Sequence, residues 1–124
     1  MSVTYAADVK TSRMQAVLDQ IDAGTGAGYI EIGTAAMASV LATIVLSDPA
    51  GSVSGSVLTL TMPKSDTDAD ATGTAAEARI RDSDANDVVT GMTVGTAATD
   101  VILDSVSITA GQTVTLNTAT LTHA

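Results

Sequence analysis

The run Asp82-Ser83-Asp84-Ala85-Asn86-Asp87 places side-chain oxygens at alternate positions. Asp82, Asp84 and Asn86 are the residues that could converge on a hard cation such as Ca²⁺, which takes oxygen ligands from carboxylates and amides. An EF-hand loop carries Gly at its sixth position and Glu at its twelfth; counted from Asp82, those are Asp87 and Thr93. The run is therefore not an EF-hand. Asp and Asn also close tight turns by bonding their own backbone, and a turn is the first expectation here. Ca²⁺ is the weak alternative, and no metal site is assigned. Asp66, Asp68 and Asp70 repeat the alternation in a polar stretch, where a solvated acidic loop is expected.

Other residues with chemical potential fall short of a constellation. His123 is the only histidine and stands next to the last residue, whereas a general acid or base needs a pocket and orienting partners. Gly51-Ser52-Val53-Ser54-Gly55 is one residue out of register with the Gly-x-Ser-x-Gly nucleophile turn. A glycosidase needs two carboxylates held across a sugar-sized cleft, and here the acids cluster in turns. Gly24-Thr25-Gly26-Ala27-Gly28 resembles part of a dinucleotide-binding loop but follows a helical pattern instead of opening one. It reads as a flexible hinge. With no cysteine there is no disulfide, thiolate metal site or cysteine nucleophile. No catalytic residue, cofactor-binding residue or cofactor is expected, and the chain is not expected to be an enzyme.

The 124 residues fit one domain, with residues 1–24 as an N-terminal arm and helix and residues 28–123 as the body. Fourteen acidic against five basic side chains give a formal charge of −9. Nucleic-acid binding needs a basic footprint, so this balance argues against it. The longest low-polarity run, Ala35 to Leu46, has 12 residues, against the roughly 20 that a membrane helix needs. No basic region followed by an apolar stretch opens the chain, so neither a secretory signal nor a membrane partner is expected. Phe and Trp are absent, while 21 Ala and 20 Thr make up much of the chain. Without aromatics, which bury about 150–250 Å² each, the core must be aliphatic and thin. Only 15% of residues are charged, which suggests that part of the surface is hidden against neighbouring subunits.

The elements that position these residues follow from periodicity. Met14, Val17, Leu18 and Ile21 fall on one helical stripe; Asp8 or Thr11 is the expected cap and Gly24 the stop. The period then becomes two. Strands are expected at Tyr29–Ile32, Ser39–Leu46 and Val57–Met62, with Pro63 ending the last, residues 64–73 a loop, and further strands at Thr74–Arg81 and Asp87–Val94. Short strands at Val101–Leu103 and Val106–Ile108 complete an expected meander. In the final strand Val114 and Leu116 set one phase and Ala119 and Leu121 the other, so a bulge is expected near Asn117-Thr118. The fold class is a mostly-β antiparallel sandwich, jelly-roll or immunoglobulin-like, with one N-terminal helix.

Three segments together resemble a group of small tailed-bacteriophage structural proteins, often encoded near the major capsid protein. They are Leu41-Ala42-Thr43-Ile44-Val45-Leu46-Ser47-Asp48-Pro49-Ala50; residues 71–84, containing Ala75-Ala76-Glu77-Ala78-Arg79-Ile80-Arg81, with Val94-Gly95-Thr96 beyond; and residues 100–114, opening Asp100-Val101-Ile102-Leu103, with a closing Leu121-Thr122-His123. The resemblance covers about residues 12–123. Such proteins commonly have an aromatic after the Ala-Ala pair and another after Ser-Asp-Pro-Ala, where this chain has Glu77 and Gly51. The resemblance implies a virion structural protein, most simply a decoration or cement protein on the outer capsid. Its partners would be the major capsid protein or other virion subunits and its own copies, with a trimer suggested by three-fold sites of a shell. A neck, head–tail or head-fibre protein is the alternative, and an extracellular binding module the second alternative.

Overall fold

The computed structural model describes residues 5–24, 26–47 and 49–122. In chain order the elements are α1 (Ala7–Ile21), β1 (Tyr29–Gly33), β2 (Val40–Val45), β3 (Gly51–Ser54), β4 (Val57–Leu60), β5 (Lys64–Asp66), β6 (Gly73–Thr74), β7 (Glu77–Arg81), β8 (Asp87–Gly95), β9 (Val101–Leu103), β10 (Ser107–Ile108) and β11 (Val114–Thr122). A short 3-10 turn, Ala35–Met37, separates β1 from β2. The main sheet curls through β2-β1-β7-β8-β9-β11-β4-β3, with β5 also paired to β11, and β6 pairs separately with β10. The fold is mostly β, sandwich-like, with one N-terminal α-helix, as the periodicity predicts.

Two details depart from an antiparallel meander. β10 leaves the sheet to pair with β6, and β8 and β9 run parallel, with Val94 beside Val101 and Gly95 beside Ile102. Parallel neighbours usually need a long crossover. Here the short loop 96–100 suffices because Thr93 and Asp100 clamp its ends. The Thr93 N–H and hydroxyl donate to Asp100 Oδ2 at 3.1 and 3.2 Å, and the Asp100 N–H donates to Thr93 Oγ1 at 3.0 Å.

The helix buries Met14, Leu18 and Ile21 against its own sheet, chiefly β3 and β4. Most of its apolar stripe is therefore used inside the domain. Neither expected cap forms. Ala6 precedes the helix without a side-chain bond, and Asp8 sits in the first turn, where its charge suits the helix dipole. Thr11 lies inside the helix with its hydroxyl 2.7 Å from the Gly55 carbonyl and 3.0 Å from that of Ala7. One proton serves one acceptor at a time, and the shorter contact ties α1 to the β3–β4 hairpin. At the other end Asp22 Oδ1 accepts the Ala50 N–H at 3.0 Å, fixing the helix to the entry of β3. Gly24, at φ +98°, then reverses the chain in a conformation that L side chains rarely adopt.

The core is aliphatic. Ile30, Ile32, Ile80, Leu58, Leu103 and Leu116 are among the side chains fully closed off from solvent. The accessible surface of 6198 Å² matches the roughly 6,100 Å² that a folded chain of this mass exposes, so small side chains close this core without aromatics. The two aromatic departures leave no gap. Glu77 lies in the outward-facing row of β7, in register with Gly33 and Thr93. A Cβ on Gly51 would collide with the Thr59 carbonyl and press on Leu60 Cα, so this backbone admits no side chain there.

Residues 64–73 are not simply a loop: β5 pairs with the first part of β11, Lys64 opposite Leu116 and Asp66 opposite Val114. The β11 register slips between Leu116 and Thr118 against β9, where the bulge was expected. Val114, Leu116 and Ala119 are all buried as a result. Because Ile80 is fully buried between Ile30 of β1 and Val89 of β8, Ile80→Ala should cost about 2–5 kcal/mol, read from denaturant unfolding. A loss below about 1 kcal/mol would contradict the packing described.

Candidate functional site

The acidic run folds as a turn built on Asp82, which is buried beneath it. Asp82 Oδ1 accepts the N–H groups of Asp84 and Asn86, both at 2.9 Å, and Oδ2 accepts the Asn86 side-chain amide at 3.2 Å. Ala85 takes φ +66° to close the loop. The Asn86 N–H foremost, then the Asn86 amide and the Asp84 N–H, hold the Asp82 carboxyl below its ordinary range, against the burial that pushes it up. Of the three Ca²⁺ candidates, Asp82 thus spends its oxygens on the turn and Asn86 turns its amide nitrogen to Asp82. Asp84 points toward Gly24. No group of three or more His, Cys, Asp or Glu is gathered at metal-binding distance among the described residues. Ser83 staples the turn to the glycine-rich segment, accepting the Gly26 N–H at 3.3 Å and lying 3.4 Å from the Ala23 carbonyl. These contacts tie Ala23 and Gly26 to the turn.

Asp66, Asp68 and Asp70 also meet backbone. Asp66 accepts the N–H of Thr43 through Oδ2 and that of Asp68 through Oδ1, each at 3.0 Å. The Asp70 N–H donates to the Leu41 carbonyl at 2.7 Å. These bonds bring β5 and the segment after it against the outer edge of β2. His123 lies outside the described residues.

Two surfaces remain as candidates for contact. An open hollow of about 360 Å³ lies between α1 and the sheet, lined by Met14, Val17, Gly91, Met92, Leu121 and Asp100 among others. Its carboxylate is the one engaged by Thr93, so the hollow offers chiefly apolar walls. The second surface is the outer face of β2, β1, β7 and β8. The register aligns Val45, Tyr29, Arg81 and Asp87 in one row, and Thr43, Glu31 and Arg79 in the next. Glu31 Oε1 lies 2.6 Å from Arg79 Nε and 3.4 Å from Arg81 Nε, and Arg81 Nε lies 2.7 Å from Asp87 Oδ1. The two arginines and two acids neutralise one another. Val45, at the end of its row, stays 62% exposed, more than any other large hydrophobic side chain described.

The outward set Glu77, Arg79, Arg81 is visible in the sequence, but its pairing with Glu31 depends on strand register between segments 48 residues apart. The Thr93–Asp100 clamp has no sequence signature beyond residue type. Compared with protein-family models, curated proteins and solved structures, the chain matches none. No helix among the described residues is long and apolar enough to cross a membrane.

A carboxyl whose pKa is depressed on folding contributes stability above its unfolded pKa and loses it as pH falls through the folded value. Asp82→Asn should therefore unfold at lower denaturant than the parent near neutrality, with the gap closing below about pH 4. Denaturant midpoints across this range measure it; a gap that does not change with pH would contradict the turn's electrostatics.

Proposed function

We propose that this chain is a structural subunit of a tailed-bacteriophage particle, decorating or cementing the outside of the capsid. The observation that carries the reading is the outer face of β2, β1, β7 and β8. Toward Val45 its charges, Glu31, Arg79, Arg81 and Asp87, are paired with one another, while Glu77 stands at the far end of β7. Val45 is left uncovered, so the Val45 end can be covered by a neighbour without stranding an unpaired charge. The three resembling segments supply the rest: Leu41–Ala50 contributes β2, residues 71–84 contribute β7, and residues 100–114 contribute β9. The role is mechanical. Surface buried across adjoining shell subunits resists the outward pressure of packaged DNA, and a net charge of −9 is compatible with an outward position away from that DNA.

The partners are the major capsid protein and further copies of this chain. The copy number in purified particles, relative to the major shell protein, tests the reading. Abundance comparable to the shell is expected. A few copies per particle would move the chain to the neck, the head–tail junction or a fibre base, and absence from particles would overturn the virion reading.

A further inference from the structure

Antiparallel strands direct alternate peptide groups toward and away from their neighbour. The Leu46 N–H donates to the Gly28 carbonyl, which places residues 42, 44 and 46 in the set bonded to β1. Leu41, Thr43 and Val45 are then turned outward, at the edge of the sheet. The chain itself covers the first two: the Leu41 carbonyl accepts the Asp70 N–H, and the Thr43 N–H donates to Asp66. Among the described residues nothing meets the outward N–H and C=O of Val45. The uncovered peptide groups thus belong to the same residue as the most exposed large hydrophobic side chain described.

We propose that the Val45 end of β2 is a self-pairing edge, through which two copies of this chain associate about a two-fold axis with one Val45 opposite the other. An exposed edge is a template for another strand, and a second copy presents the complementary groups. In a two-fold antiparallel pair each Val45 N–H meets the other's C=O. Both valine side chains then fall on the same face, beside Tyr29 of each copy. Charge also selects this place. Copies carrying −9 each repel one another. Beside Val45 the charges of Arg79, Arg81, Glu31 and Asp87 sum to zero, and the acids farther along the edge, Asp66 and Asp70, are bonded to Thr43. The Asp66 and Asp70 bonds close the edge beyond Val45, so the contact is short and the product a pair, in place of the trimer suggested by shell symmetry. The proposal deepens the assembly role and rests on its self-association, but requires no particle.

Sedimentation equilibrium of the full chain tests it, with Val45→Asp and, as a control, Val9→Asp. The control adds the same charge at another exposed aliphatic residue, on the helix. A monomer–dimer equilibrium is expected, weakened roughly tenfold or more by Val45→Asp and changed less than about twofold by Val9→Asp. A parent chain that stays monomeric to about millimolar concentration, or equal weakening by both variants, would overturn the proposal. A trimer unaffected by Val45→Asp would also overturn it while leaving the assembly role standing. Conversely, a Val45-dependent dimer from a chain absent from particles would support this contact and remove only the virion reading.

Discussion

The structure depends on a change of phase within one strand. β11 pairs first with β5 and β9 and then with β4, so it joins the β2–β9 run of the curled sheet to the β4–β3 hairpin. A straight strand with period two would bury Val114 and Leu116 and then point Ala119 out. The register slip between Leu116 and Thr118 inserts the extra residue that turns Ala119 inward. Without it, either the β9 side or the β4 side would lose its share of a core that contains no large aromatic to spare.

The acidity of the chain has a partly structural origin. Asp22, Asp66, Asp82 and Asp100 each accept backbone N–H groups where an element starts, ends or meets an edge. Short strands leave many such donors, and a carboxylate is a strong acceptor for them. Asp22 fixes the helix to β3, Asp66 seals β2, Asp82 builds the β7–β8 turn, and Asp100 permits the parallel step to β9. The same chemistry that looks like cation binding in the sequence is directed to peptide groups in the fold. What remains at the surface is a neutral patch among acids, and that contrast gives the face around Val45 its character.

Much of this was legible because alternation of apolar residues records burial directly. The helix stripe, β1, β4, β7 and the bulge in β11 all carry that record. β5 does not: Lys64-Ser65-Asp66 has no apolar period and becomes a strand because β11 offers a partner. β3 is hidden similarly, since Gly51-Ser52-Val53-Ser54 reads as turn residues, yet Gly51 is required by the close approach of β4. The helix cap was misplaced because Thr11 finds a tertiary acceptor in Gly55, which no local rule anticipates. The Asp82 turn was readable from its residue types; the salt-bridged face was readable only as a row of outward residues, because its partners come from register.

The functional reading needs a body rigid enough to hold its faces in place, and that rigidity is traced to β11. The most direct test is deletion of Asn117, the residue between the two pairing registers. Loss of the cooperative unfolding transition, or a large drop in its midpoint, is expected, because Ala119 and the residues after it would turn to the wrong side. A deletion variant that unfolds cooperatively at the parent's midpoint would contradict it.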